Sequence, residues 1–499
     1  MDDKFITIGY RFRLLTLYLY RNRMKSFYQK SLSLTVLATS LLCVGAGAAP
    51  NDPATLGQIR DSAMKSDWAY ERLADLTDLV GPRLSGSAGA AAAVEQVAQA
   101  MRNIGATVTL QPVKVPHWVR GAESAELVEY TGRPAGITQK VVLTALGGSG
   151  ATPAAGLTAP VLIVRSFEEL KARAAQVRGS IVLFDVAFDQ EMADRGHAGP
   201  AYGHGAGFRF AGPKLAADMG AAAALVRSVG GANYRIAHTG ATGVVAENRI
   251  PAAAVTAEDA MLMSRLSARG PLKMHLTLTP QTLPDADSFN VIADLPGTDK
   301  ADEVVIVSGH LDSWDLATGA HDDGTGVAGA MAVIDTLKKL NLKPRRTIRV
   351  IAWMNEENGT RGGKAYFEAN KNKLDKHFAA IESDSGGGRP FGFIGSVTPP
   401  MVKYFAPLKT ALEPIGAGVF ERHDIAGAAD TSPLEHAGVP VFEPLVDSSF
   451  YFNYHHTPAD TLDKVNPLEL KRHVAVMTSL TWYLANMDEN IGRVPPAQE

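Results

Sequence analysis

The chain has 499 residues, 46% of them hydrophobic and 20% charged, with a formal net charge of −3. That length is too great for one ordinary core and predicts about two domains of a soluble globular protein. The near-neutral balance, without a basic stripe, argues against nucleic acid as a partner. The single cysteine, Cys43, excludes a disulfide framework and a thiolate metal site in the body of the chain.

The first 49 residues read as an export signal. Arg21, Arg23, Lys25 and Lys30 form a positive region, an apolar run follows from Leu32 to Val44, and small residues close it at Gly45–Ala49. Charge, short apolar run and small-residue exit are the marks of a cleaved secretory segment, with processing expected near Ala48 or Ala49. The run is shorter than the roughly 20 residues of a membrane span. The tract ahead of Met24 is foreign to such a signal, which makes Met24 a candidate start. A periplasmic or secreted protein is expected, without stable membrane association after cleavage.

Residues 50–128 open the first part of a larger domain. Tyr70–Val80 and Ala88–Ile104 repeat apolar residues at helical spacing, with the turn-rich Gly81-Pro-Arg-Leu-Ser-Gly-Ser87 between them. Gly105 is a helix stop, and Thr107–Val115 alternates as a strand. From about 129 to 285 the chain turns rich in Gly and Ala. Short β-like runs appear at Val141–Leu146, Pro160–Val164, Ser180–Phe184 and Ala222–Val226, with helical patterns at Phe167–Arg173 and Gly212–Met219. This stretch reads as a separate small domain inserted into the larger one, and its His197, His204 and His238 read as solvated loop residues.

Residues 286–490 alternate strand and helix. Strands are predicted at Asn290–Leu295, Val304–Val307, Thr347–Trp353, Ala379–Ile381 and Val439–Pro444. Helices are predicted at Val327–Leu340, Gly363–Asn370, Met401–Leu412, Leu434–Ala437 and Leu468–Met487. Such alternation predicts an α/β domain, a mostly parallel or mixed sheet flanked by helices. Residues 491–499 read as a C-terminal tail.

Four loops of this half carry the chemistry. One holds His310, Asp312, His321, Asp322 and Asp323, the second Glu356 and Glu357, the third Asp384, and the fourth His455 and His456. The first three each follow a predicted strand, and neighbouring parallel strands bring such ends together. Imidazole with carboxylate suits zinc. Two cations about 3.5–4 Å apart need one bridging carboxylate, further ligands on each side and a free carboxylate as base. A Glu-Glu pair can supply one ligand and the base. Asp312, two residues from His310, is placed to orient that imidazole.

With these loops the chain resembles the M28 family of zinc exopeptidases, and the likeness covers nearly all of it beyond the signal. Tyr70-Glu-Arg-Leu-Ala-Asp-Leu, Gly81-Pro-Arg-Leu-Ser-Gly-Ser, Val115-Pro-His-Trp-Val-Arg-Gly, Asp287-Ser-Phe-Asn and Ser308-Gly-His-Leu-Asp-Ser-Trp-Asp carry it. Val177-Arg-Gly-Ser-Ile-Val-Leu and Ile250-Pro-Ala-Ala-Ala-Val-Thr are similar to a protease-associated domain. The resemblance implies the zinc-exopeptidase fold with an inserted protease-associated domain, two Zn2+ per protomer, peptide substrates of dipeptide or similar length, and a homodimer. It implies His310, Asp322, Glu357, Asp384 and His456 as metal ligands, with Asp322 bridging. Glu356 would be the general base and Asp312 the partner of His310. His456 is selected because it stands four residues before Asp460-Thr461. His455 then takes the place of a Tyr in some relatives and would stabilise the tetrahedral intermediate. Asp430 is expected either to line the substrate pocket or to cap a helix. The M20 family has similar ligands but carries its extra domain between the later ones, whereas here the insertion precedes them all. Receptor-like relatives lack ligands that this chain keeps, and single-zinc cyclases lack the insertion.

Overall fold

The computed structural model describes residues 51–243 and 249–494. The signal predicted over 1–49 and residues 495–499 of the tail lie outside the described residues. Among the described residues no helix is long and apolar enough to cross a membrane.

One half of the described chain is built on an eight-stranded mixed sheet. Its order is Thr107–Val119, Gln281–Leu295, Arg346–Trp353, Lys300–His310, His377–Glu382, Val441–Val446, Pro390–Gly395 and Val419–Arg422. The four central strands, from Arg346–Trp353 to Val441–Val446, run parallel to one another. Successive side chains of a strand point to opposite faces. Val305 and Val307 therefore enter one core, with Ile348, Val350 and Ile381. Val304 and Ile306 enter the other, with Ile351, Trp353 and Tyr366. Burial on both faces is why these strands are continuous apolar runs in sequence. Helices Thr325–Lys339 and Pro467–Asn486 cover the first face, and Arg361–Asn370 and Ser432–His436 the second.

Local chemistry sets the ends of these elements. Ser87 Oγ accepts the Ala90 N–H at 3.1 Å and caps helix Ala88–Asn103. Beyond that helix Gly105 sits at φ 75°, a left-handed turn that a side chain would strain.

A second eight-stranded sheet forms the insertion, in the order Gln139–Val141, Glu123–Glu129, Lys273–Leu278, Leu157–Val164, Ile181–Phe184, Ala223–Arg227, Ala252–Val255 and Leu143–Ala145. Its first strand, Glu123–Glu129, pairs antiparallel with its last long one, Lys273–Leu278. The inserted sheet thus begins six residues before the boundary predicted at 129, because the pairing partner of Glu123–Glu129 lies at the far end of the insertion. Strand Gln281–Leu295 already belongs to the first sheet, pairing with Thr107–Val119 from Gln281 onward.

Two expectations are corrected here. The Gly-rich stretch around His204 is not a loop but the helix Ala198–Asp218, on which His204 is exposed. His238 is not solvated; it is fully buried.

Candidate metal centre

The parallel strands deliver the donors. His310 ends its strand opposite Trp353, and Ser308 of the same strand pairs with Glu382. Glu356 and Glu357 follow Trp353 by three and four residues, and Asp384 follows Glu382 by two. All three loops therefore open at the carboxyl edge of the sheet, where open α/β sheets hold their sites.

Asp322 is the centre of the arrangement. Its Oδ1 is 2.9 Å from His310 Nε2, and its Oδ2 is 3.2 Å from His456 Nε2. Asp384 Oδ1 lies 3.5 Å from His310 Nε2, and Glu357 Oε2 lies 2.8 Å from His456 Nε2. Of three donor groups among the described residues, each with its ligand atoms within 4.8 Å of one another, His310–Asp322–Asp384 and Asp322–Glu357–His456 share Asp322, and the third is His238–His455–His456. Asp322 Oδ2 is buried without a hydrogen-bond donor among the described residues. A buried carboxylate oxygen in that state is costly unless a cation or donor meets it. The donor set therefore fits two zinc ions sharing Asp322.

The surrounding backbone is held by polar groups that are themselves buried. Arg83 is fully buried and donates to the carbonyls of Leu311, Gly81, Thr318 and Gly319, fixing both ends of the His310 loop. Asp460 accepts the N–H groups of His321 and Asp322 at 2.7 and 3.1 Å. Asp323 accepts the N–H of His310 at 3.0 Å and that of Gly326 at 2.9 Å, so it ties the strand end to the following helix. A Cβ on Gly309 would meet Asp323 Oδ2 at 2.4 Å, so the close approach requires glycine there. His321 Nδ1 accepts the Gly387 N–H at 3.1 Å and links this loop to the one carrying Asp384. Glu357 Oε1 accepts the Trp314 N–H at 3.1 Å, which leaves Oε2 turned to His456.

Asp312 does not act as its spacing suggests. His310 Nδ1 donates to the backbone carbonyl of Asp312 at 2.9 Å, while the carboxylate Oδ1 is 3.9 Å away. That carboxylate instead accepts the N–H groups of Asn355 and Glu356 at 2.7 and 3.0 Å and the Ser85 hydroxyl at 2.9 Å. It therefore holds the loop of Glu356. Asn355, in a left-handed turn at φ 77°, completes this clamp by donating to Ser85 Oγ at 3.1 Å.

Electrostatics separates the carboxylates. Burial pushes the Asp322 carboxyl up, but His455, His310 and His456 outweigh it and hold the group well below the usual carboxylate range. Burial pushes Glu356 well up, and the charges of Asp384, Glu357 and Asp430 add to that against His310. A half-buried carboxylate with a raised pKa is suited to taking and returning a proton.

His455 stacks on His456 with ring centroids 3.6 Å apart, and its Nε2 lies 3.3 Å from Asp322 Oδ2. Its other nitrogen, Nδ1, is 3.2 Å from Nε2 of His238, which comes from the insertion. Asp430 does not cap the helix that follows it: helix Ser432–His436 follows Thr431, without a side-chain cap, and Asp430 reaches instead the first turn of helix Arg361–Asn370. Asp430 Oδ1 accepts the Gly363 N–H at 3.2 Å, and its Oδ2 is buried without a partner among the described residues. The sequence reading passed over Arg83, Asp460 as a backbone acceptor, His238 and Tyr451. Only Arg83 and Asp460 carried a signal, since both stand in segments used for the family resemblance. Tyr451 packs 5.0 Å from the His455 ring.

Carboxylate and imidazole donors gathered at the carboxyl edge of a mixed sheet, beside a carboxylate of raised pKa, define a metal-dependent hydrolase. Comparison with known proteins narrows the class. Residues 290–481 match the model of peptidase family M28. The chain is 36% identical to human carboxypeptidase Q over 433 residues, covering 85% of this chain and 87% of that protein. A peptidase M28 precursor from Shewanella amazonensis superposes with a TM-score of 0.84 at 36% identity, over 89% of this chain and 99% of that one. A zinc aminopeptidase from Bacillus subtilis shares the fold, with a TM-score of 0.62 at 19% identity over 86% of this chain and 98% of that one. The chain belongs to peptidase family M28 and is a metallopeptidase.

Proposed function

We propose that the chain is a dinuclear zinc exopeptidase that hydrolyses dipeptides or short peptides. The observation carrying this reading is the position of Asp322, with one oxygen facing His310 and the other facing His456. His310 and Asp384 would hold one zinc, His456 and Glu357 the other, and Asp322 both. Zinc bound there would supply Lewis acidity toward the scissile carbonyl and bring a bound water toward a neutral pKa.

The chain's own residues do the remainder. Glu356, held through its backbone by Asp312, takes the proton of the attacking water and returns it to the leaving amine. His455, neutral because burial and neighbouring His456 keep its pKa low, turns a ring N–H toward the site and stabilises the tetrahedral intermediate. The pairing of Glu357 with Trp314 and of Asp322 with Asp460 keeps the donors in place as charge moves. A free α-amine of the substrate held beside these carboxylates would make the enzyme an aminopeptidase or dipeptidase.

The test is a panel of dipeptides with free, N-blocked and C-blocked ends, assayed with and without chelator. Cleavage of free dipeptides, lost on N-blocking and on chelation, supports the reading. Retained cleavage of N-blocked substrates refutes the aminopeptidase or dipeptidase assignment and points to carboxypeptidase action. The basic, apolar and small-residue pattern of 21–49 further supports export, which N-terminal sequencing of the mature protein tests.

A further inference from the structure

One buried imidazole that the proposed chemistry does not use leads straight into the centre. His238 belongs to the segment that follows the inserted strand Ala223–Arg227, and it is fully buried. Its backbone N–H donates to Ser228 Oγ at 3.0 Å. The same segment is bonded to the chain that carries the last donors: Gly231 N–H donates to the Phe452 carbonyl at 3.0 Å, and Thr239 N–H to the His456 carbonyl at 2.9 Å. Tyr202, on inserted helix Ala198–Asp218, stacks on Phe452 with centroids 4.4 Å apart and meets the His455 ring edge-on at 5.0 Å. The insertion is thus one wall of the site, and His238 is the side chain by which it reaches His455.

The direction of its hydrogen bond follows from the chain of contacts. In the reading of His455 as a donor to the site, its proton lies on Nε2, the ring nitrogen on the side of Asp322 and 3.3 Å from Asp322 Oδ2. Nδ1 of that ring is then bare. The 3.2 Å contact with His238 requires His238 to donate from its Nε2. This leaves Nδ1 of His238 as the bare nitrogen, and it is the one without a partner among the described residues.

We propose that His238 is a positioning residue for peptide hydrolysis, a group of the insertion that fixes the tautomer and ring orientation of His455 so that its Nε2–H faces the reacting carbonyl. The inserted unit is therefore a working part of the active site. The inference rests on the reading of His455 as the group that stabilises the tetrahedral intermediate, and the experiment separates the two.

The full chain with its zinc is compared as wild type, His455→Phe, His238→Ala, His238→Gln and the double variant His238→Ala/His455→Phe. Zinc content, melting temperature, kcat and KM are measured for each on one dipeptide. Loss of a group that orients a catalytic side chain is expected to cost about 10–100-fold. That loss should fall on kcat with KM and zinc content nearly unchanged. His238→Gln, whose amide can donate from a similar position, should recover most of it. In the His455→Phe background His238→Ala should cost nothing more, because the residue it orients is gone. If His238→Ala folds too poorly to assay, His238→Asn carries the same expectation, since its shorter amide stops short of His455. Wild-type kcat in His238→Ala with a crippled His455→Phe overturns the inference alone. Losses that multiply in the double variant, or that Gln does not relieve, also overturn it. Wild-type kcat in His455→Phe overturns the reading of His455 itself.

Discussion

His456 Nε2 stands 2.8 Å from Glu357 Oε2 and 3.2 Å from Asp322 Oδ2, between two carboxylates. The ring stacked on it, His455, reaches Asp322 at 3.3 Å but has no contact with Glu357 among the described residues. Adjacent histidines thus have different surroundings, and the metal assignment follows from them. His456→Ala should lose about one zinc per chain, because it removes a direct ligand. His455→Ala should keep its zinc and lose kcat. Metal analysis with steady-state kinetics checks this, and equal zinc loss in the two variants would refute the assignment.

Asp312 shows how spacing alone can mislead. The His310 ring leans on the Asp312 backbone carbonyl, which any substitution retains, whereas the carboxylate holds Asn355, Glu356 and Ser85. Asp312→Ala should therefore displace the base more than the metal. The removal leaves the buried Asn355 N–H without its acceptor, at a cost of about 1–3 kcal/mol. The expected result is a fall in kcat of at least about 100-fold, the usual contribution of a positioned general base. Zinc retention should be well above that of His310→Ala, and zinc loss equal to His310→Ala would contradict the arrangement.

Asp460 acts on the centre through the backbone. It accepts from the N–H groups of His321 and Asp322, and so holds the backbone that carries the Asp322 carboxylate. Asp460→Ala should weaken zinc binding about 10–100-fold, as loss of such outer supports does. Competition with a chelator measures it, and unchanged affinity would show that the loop keeps its shape without this anchor.

A pH effect on stability is expected from His473. This residue is fully enclosed beside Ser383 Oγ at 2.8 Å, and burial lowers its pKa from 6.5 to about 4. The folded state thus favours the neutral ring. Its stabilising contribution is complete above the unfolded pKa and is lost as pH falls from about 6.5 toward 4. Between pH 7 and pH 5 the loss should be about 2 kcal/mol. His473→Gln should remove that part of the pH dependence, as read by denaturant unfolding at the two pH values. An identical slope in wild type and variant would contradict the assignment.

The parts of the fold legible in sequence are those with strong local patterns. Val304–Val307 is apolar on both faces, and Thr347–Trp353 is so except at Thr347 and Arg349, because both faces are buried, and each was recognisable as a strand whose end bears donors. Strand Ala252–Val255 was not, since three of its four residues are alanines, which have little β-propensity. Helix Ala198–Asp218 contains several glycines and Pro213, and packing overrides that local preference. Glu123–Glu129 is half exposed and charged, and only its distant partner Lys273–Leu278 makes it a strand. At the site, every proposed ligand lies at a strand end or in a segment marked by its residue types. His238 could not be found that way, because its contact with His455 spans 217 residues and depends on the docking of the insertion.

The central claim is that Asp322 joins two metal positions. Zinc bound per purified chain, measured by elemental analysis after removal of loosely held metal, tests it most directly. The account predicts two zinc ions per chain in the wild type, and in Glu356→Gln two zinc ions with activity nearly abolished. A single zinc per fully active chain would contradict it.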